Sequence, residues 1–293
     1  MPALRLDPIG RFPGLRVLAW DAGILYAARG YAVVRWDPSR LTWEPVAAFD
    51  PGLARRAATL SRVGDRLLRG GCHALTRLGN DSFAAVFPKT LAVLTPQDRR
   101  FRGTFRIPRG TRPLALAAAL GGWAYFGEYF DNPDRAAVHV YGSPDGVSWH
   151  VVYTFPAGAV RHVHSVTYDR YARCLWVLTG DDGAECRILR ASLDWSAVDA
   201  VVTGGQQARA VTIIPREDGL YFATDTPFEQ NYVYRLDRGG RVTRLAAIAA
   251  SSFWSCRVNR ALFVSTAVEP STVNTGRDAV LYGSIDGTEW TAL

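Results

Sequence analysis

Six short apolar segments recur along the chain, and each is followed by a segment in which apolar and polar residues alternate. A short apolar run between turn residues is typical of a strand that is buried on both faces, and alternation is typical of a strand with one exposed face. The apolar segments cover residues 23–26, 82–86, 123–126, 175–178, 220–223 and 262–265. The alternating segments cover residues 32–36, 90–94, 138–141, 187–190, 232–235 and 279–282.

The paired segments recur with a period of about 40 to 50 residues, which is the period of propeller blades. We interpret them as the second and third strands of four-stranded antiparallel blades. The predicted blades cover residues 15–49, 72–108, 111–155, 160–204, 206–249 and 252–293. The sequence therefore predicts an all-β, single-domain β-propeller of six blades, and a seventh would need a longer chain. We also expect a short helix at residues 52–60, between the first two blades.

Two of the turns that follow a third strand share the pattern Ser-x-Asp-Gly-x-x-Trp, at residues 143–149 and 284–290. In such a turn the carboxylate can accept hydrogen bonds from nearby backbone N–H groups, and glycine takes the positive φ angle. The pattern resembles the Asp-box, or BNR, repeat of sialidase-like β-propellers. This resemblance supports the propeller fold and implies a carbohydrate-active protein.

Composition and charge argue against a membrane protein and against a nucleic-acid-binding protein. No apolar run is long enough to span a membrane, and the first residues lack the apolar core of a secretory signal, so we expect a cytoplasmic protein without membrane contact. The net charge is +7, but Lys89 is the only lysine and the arginines are scattered, which argues against a nucleic-acid partner. We expect a monomer.

The four cysteines are Cys72, Cys174, Cys186 and Cys256, and they lack metal-binding spacing. We expect buried, reduced thiols, with Cys174 and Cys186 as the one pair that could form a disulfide.

Strand direction predicts at which end of the propeller the candidate functional residues lie. The start of a first strand and the end of the second strand lie at one end of an antiparallel blade, and the Asp-Gly turns lie at the other. We therefore expect Asp145 and Asp286 to be structural. The predicted functional end holds His73, Arg112, Glu128, Tyr129, His162, His164, Asp181, Arg209, Asp225, Glu229, Trp254 and Glu269.

These residues form a predicted ring of alternating charge around a pocket, an arrangement typical of a polar-ligand site. The alternative is that the charges form ion pairs that link neighbouring blades. As catalytic candidates we single out His162, His164, Glu128, Tyr129 and Asp181, and we assign the other residues of the ring to substrate binding. The pattern requires no cofactor, although the two histidines, which share one side of a strand, could supply a base or hold a divalent cation.

We expect the partner to be an acidic oligo- or polysaccharide. A glycoside hydrolase would need two opposed carboxylates. A polysaccharide lyase would need a base and a cation near a uronate carboxylate, and the His and Arg set resembles that of propeller lyases. A non-catalytic glycan- or protein-binding propeller is the alternative to both, and the fold alone does not choose among the three.

Overall fold

A computed structural model describes residues 4–8, 10–53 and 70–293. The described residues form six sheets, each of four antiparallel strands in sequence order, and the chain has the all-β fold of a six-bladed β-propeller. The predicted second and third strands are present in every blade, so this prediction is confirmed. The helix predicted at residues 52–60 lies, from residue 54 onward, outside the described residues.

The chain divides into two compact units, the first of which is composed of residues 10–131 and 139–153. It contains most of blades one to three. Their strands are β1 (Arg16–Asp21), β2 (Ile24–Arg29), β3 (Ala32–Asp37), β4 (Thr42–Ala48), β5 (Ala74–Arg77), β6 (Phe83–Phe87), β7 (Thr90–Leu94), β8 (Arg102–Arg106), β9 (Ala117–Ala118), β10 (Ala124–Gly127), β11 (Val138–Ser143) and β12 (His150–Phe155).

The second unit contains blades four to six together with Asn132–Val138. Its strands are β13 (His162–Asp169), β14 (Cys174–Gly180), β15 (Arg187–Ala191), β16 (Val198–Thr203), β17 (Ala210–Arg216), β18 (Gly219–Thr224), β19 (Asn231–Asp237), β20 (Val242–Ile248), β21 (Ser252–Val258), β22 (Ala261–Thr266), β23 (Leu281–Ser284) and β24 (Thr291–Ala292). Short 3₁₀ turns lie at Leu120–Gly122, Gly183–Glu185 and Gln206–Ala208, and no helix of the described residues could cross a membrane.

Burial of the second strands holds neighbouring blades together. All residues of β10, β14 and β18 are buried, as their apolar sequences predict. In the second unit, Trp176 and Ile188 of blade four pack with Ile213 and Phe222 of blade five in one core cluster. Burial of each large apolar side chain contributes about 1.5–3 kcal/mol to the stability of the fold. These apolar contacts therefore hold the two adjacent blades together.

The turn at residues 143–149 has the predicted hydrogen bonds. Oδ1 of Asp145 accepts the backbone N–H groups of Val147 and Ser148, at 2.8 and 2.7 Å. Gly146 has a φ of 74°, and its carbonyl oxygen accepts the indole N–H of Trp149 at 2.9 Å. Trp149 is partly buried, and its N–H returns to the turn that precedes it.

The turn at residues 284–290 repeats this geometry. Oδ1 of Asp286 accepts the backbone N–H groups of Thr288 and Glu289 at 2.8 and 3.1 Å, and Nε1 of Trp290 donates to the Gly287 carbonyl at 3.2 Å. Asp286 therefore has a structural role in its turn.

Three less complete turns keep the central hydrogen bond. The carboxylates of Asp37, Asp194 and Asp237 each accept the backbone N–H of the residue two positions later, at 2.8, 3.1 and 2.9 Å. The carboxylate is thus the part of the turn that recurs, whereas a tryptophan four residues after the aspartate is present only in the two full patterns.

All four cysteines are free thiols, so Cys174 and Cys186 form no disulfide. Cys72, Cys174 and Cys186 are buried as expected. The prediction was wrong for Cys256, which is exposed because several residues of the strand that carries it, β21, face solvent.

We predict that Asp145→Ala lowers the free energy of unfolding by about 1 kcal/mol, because two backbone N–H groups lose their acceptor. Asp286→Ala should have a similar effect. Urea denaturation monitored by tryptophan fluorescence measures both. Asp199→Ala, at an exposed position of β16, is the control and should change stability by less than about 0.5 kcal/mol. Equal effects of Asp145→Ala and the control would contradict this assignment.

Candidate functional site

Five ionisable residues of the second unit converge where blades four and five pack together, and we call them the His-Asp-Arg cluster. His162 and His164 lie on β13, Asp181 directly follows β14, Arg209 directly precedes β17, and Asp225 directly follows β18. In the sheet register, His162 pairs with Gly180 and Ala210 pairs with Thr224. Strand direction therefore brings these five residues to one end of their two blades, as the sequence predicted.

A β-bulge lies at His164. The register of β13 against β14 shifts between Val163 and Ser165, which leaves His164 as the extra residue. A bulge re-aims the side chain that it carries. The Nε2 atoms of His162 and His164 lie 3.2 Å apart, and Nδ1 of His164 lies 2.8 Å from the carbonyl oxygen of Ala210. Because a carbonyl can only accept, Nδ1 of His164 carries the hydrogen.

Asp181 is the centre of the cluster. Its Oδ2 lies 3.2 Å from Nε2 of His162, and its Oδ1 lies 3.2 Å from both Nε2 of His164 and Nη2 of Arg209. Burial alone would raise the pKa of Asp181, but the bonds to the two histidines and the charge of Arg209 outweigh it and hold the pKa well below its usual range. Asp181 is therefore ionised at neutral pH.

The pKa of Asp225 shifts in the opposite direction to that of Asp181. Its side chain is 4% exposed, and Oδ2 lies 3.3 Å from Nε of Arg209. Burial raises the pKa of Asp225 to about 6, although Arg209 and His164 oppose the shift and the negative charge of Glu269 adds to it. Arg209 thus contacts two carboxyl groups, one firmly ionised and one that changes protonation near neutral pH. Environments that separate two carboxyl pKa values in this way are typical of acid–base sites.

The sequence did not single out Arg161 and Gln206, which also contact this site. Nη1 of Arg161 lies 3.9 Å from Oδ2 of Asp181, and the arginine side chain is 32% exposed. Nε2 of Gln206 donates to the carbonyl oxygen of Asp181 at 2.8 Å. Arg161 could have been predicted at this site because it directly precedes His162. Nothing in the sequence distinguished Gln206.

Three further predicted residues belong to the second unit. Glu269 is exposed, and its charge acts on Asp225. Glu229 is exposed and accepts a hydrogen bond from Nε2 of Gln207 at 2.6 Å. Trp254, on β21, is 62% exposed and packs edge-on against Phe253.

The first unit holds the remaining predicted residues. Nδ1 of His73 lies 2.9 Å from Nη1 of Arg112 and 2.6 Å from Nη1 of Arg16, so this imidazole accepts from cationic donors. The structure therefore brings His73 and Arg112 together, as predicted, and adds Arg16.

Glu128 forms a buried ion pair. Oε1 accepts Nε–H of Arg109 at 2.9 Å, and Oε2 accepts from Nη2 of Arg109 and from the backbone N–H of His139, the latter at 2.9 Å. Both carboxylate oxygens thus accept hydrogen bonds within the protein. This agrees with the alternative prediction, in which the charged residues form structural ion pairs. The next residue, Tyr129, is partly exposed.

Comparisons with known proteins identify the fold. No family model and no curated protein sequence matches the chain. A GH74 xyloglucanase from Xanthomonas campestris is similar in structure, with a TM-score of 0.60 and 17% identity over 93% of this chain and 44% of that one. An oligogalacturonate lyase from Vibrio parahaemolyticus has a TM-score of 0.58 and 9% identity over 96% of this chain and 76% of that one.

A chain of a nidogen/laminin complex is also similar, with a TM-score of 0.57 and 10% identity over 88% of both chains. The present chain spans less than half the length of the xyloglucanase. At these identities the likeness shows the propeller fold, which carbohydrate-active enzymes share with a protein found in a nidogen/laminin complex.

We predict that Asp225→Asn stabilises the protein at high pH. The unfolded chain releases the Asp225 proton near the ordinary value of 3.8, and the folded protein releases it near 6. Between these values the folded state binds more protons, so the contribution of Asp225 to stability falls as pH rises through this window. Relative to wild type, the variant should gain about 2–3 kcal/mol between pH 4 and pH 8.

Denaturant titrations at pH 4 and pH 8 measure this change in relative stability. Asp199→Asn, at an exposed position, is the matched control and should show the same difference from wild type at both pH values. A relative loss of stability for Asp225→Asn on going to pH 8 would contradict the prediction.

Proposed function

We propose that this protein acts on an acidic oligo- or polysaccharide at the His-Asp-Arg cluster, by elimination beside a uronate carboxylate. The observation that carries the proposal is the contact of Arg209 with two carboxyl groups, Oδ1 of Asp181 at 3.2 Å and Oδ2 of Asp225 at 3.3 Å. The similarity in fold to a xyloglucanase and an oligogalacturonate lyase supports the class of substrate.

Arg209 and Arg161 are the groups suited to bind the uronate carboxylate. Both flank Asp181, and Arg161 is the more exposed of the two. Neutralising the carboxylate makes the hydrogen on the adjacent carbon more acidic, because the negative charge that develops there is stabilised by the guanidinium groups. Ionised Asp181 keeps the local charge balanced and orients Arg209.

Asp225 is the group suited to transfer the proton. A base works best when its pKa lies near the working pH, and a pKa of about 6 meets this condition. Its Oδ1 is buried and accepts no hydrogen bond from the described residues, and Ser251 lowers the carboxyl pKa. Ionised Asp225 would remove the proton, the C–H electrons would form the C=C bond, and the glycosidic C–O bond would break. Protonated Asp225 would then return the proton to the leaving oxygen.

The test is a screen of uronate-containing and neutral polysaccharides with two readouts, the ultraviolet absorbance of unsaturated uronate and the release of reducing ends. We expect absorbance to rise with a uronate polymer. Asp225→Asn should reduce the rate about 100-fold or more, because the general acid–base contribution is lost. Asp199→Asn should leave the rate unchanged.

The other outcomes would each overturn elimination. Reducing ends without absorbance would identify a hydrolase, and binding without turnover would identify a glycan-binding propeller. A rate that is unchanged in Asp225→Asn would remove Asp225 from the mechanism.

A further inference from the structure

We propose that His162, His164 and Asp181 bind a divalent first-row transition-metal ion. The proposal deepens the proposed function, since the ion would lie beside Arg209, but its test requires no glycan. It stands on the arrangement of three donor atoms, the hydrogen on His164 and the burial of the two rings.

The three donor atoms are spaced as ligands of one ion. Nε2 of His162 lies 3.2 Å from Nε2 of His164 and 3.2 Å from Oδ2 of Asp181, and Nε2 of His164 lies 3.2 Å from Oδ1 of Asp181, so either carboxylate oxygen can be the third ligand. Metal–ligand bonds of about 2.0–2.2 Å in tetrahedral or octahedral geometry place adjacent ligand atoms about 3 Å apart. The three residues can therefore bind one ion with little movement of their side chains.

The hydrogen on His164 is on the correct nitrogen for metal binding. Because Nδ1–H donates to the carbonyl of Ala210, Nε2 is the ring nitrogen that faces His162 and Asp181, and it can offer its lone pair to a metal ion when it carries no hydrogen. Metal-binding histidines commonly donate their second ring N–H to a backbone carbonyl or a carboxylate in this way.

The three side chains are largely buried, so a positive charge among their acceptor atoms would stabilise the site. The side chains of His162 and His164 are 5% and 2% exposed, and that of Asp181 is 19% exposed. Acceptor atoms that converge away from water are costly unless a proton or a metal ion lies between them. Two imidazoles and one carboxylate form a donor set that suits Zn²⁺, Mn²⁺, Fe²⁺ or Co²⁺, whereas Ca²⁺ and Mg²⁺ prefer oxygen ligands.

The test is titration of chelator-treated protein with Co²⁺, followed by visible absorption, and with Zn²⁺, followed by calorimetry. We expect one ion per chain and a Co²⁺ spectrum that differs from that of the ion in buffer. His164→Gln and Asp181→Asn should each weaken binding at least tenfold, since each removes a ligand. His150→Gln, which changes an exposed histidine on β12, is the matched control and should bind as wild type does.

His164→Gln also removes the bond to Ala210, so the wild-type Co²⁺ spectrum provides a readout that does not depend on the variant folding. A wild-type spectrum unchanged from free Co²⁺ would overturn the proposal, as would binding that survives in folded His164→Gln and Asp181→Asn. Failure of the proposed function would look different, because the ion would bind in the absence of any elimination activity. Elimination by a protein that binds no ion would overturn the metal site alone.

Discussion

The burial of second strands on both faces is the constraint on which the structure depends. A strand such as β14 or β18, buried at every position, needs apolar partners on each side, and the neighbouring blade supplies one of them. This packing draws β13 and β17 together, so that Ser165 donates its hydroxyl to the Val211 carbonyl at 2.7 Å. The contact between His164 and Ala210 has the same origin, and the candidate site is thus a consequence of how blades four and five pack.

Aspartates serve two purposes in this chain, and their surroundings decide which. In the turns, carboxylates such as Asp145 and Asp286 are held by backbone N–H groups at the surface. In the cluster, Asp181 and Asp225 are held by side chains with a positive charge or a titratable ring, and their pKa values move apart. A turn carboxylate that is fully engaged with the backbone has little left to offer a substrate, whereas Oδ1 of Asp225 accepts no hydrogen bond from the described residues.

The ion pairs also divide into two kinds. Glu128 is enclosed by Arg109 and the backbone of His139, so its charge is neutralised within the first unit. Arg209 instead contacts two acids, and Arg161 adds a partly exposed positive charge next to Asp181. The guanidinium of Arg161 is partly exposed and can reach an anionic ligand, which is why the cluster rather than Glu128 carries the functional proposal.

The six-bladed fold could be predicted from the sequence because it rests on local signals: the repeat period, the apolar second strands and the Asp-Gly turns. Strand direction then sufficed to place His162, His164, Asp181, Arg209 and Asp225 at the same end of their blades. The choice of partners could not be predicted in this way. The ion pair of Glu128 with Arg109, the contact of Arg161 with Asp181 and the opposite pKa shifts of two aspartates all depend on distances and burial between segments far apart in sequence.

The bulge at His164 likewise depends on how β13 pairs with β14, and no residue type marks its position. The sequence by itself therefore determined which residues could meet. Only the tertiary structure decided which of them do, because side-chain contacts and desolvation are set by packing between blades rather than by the order of residues within one.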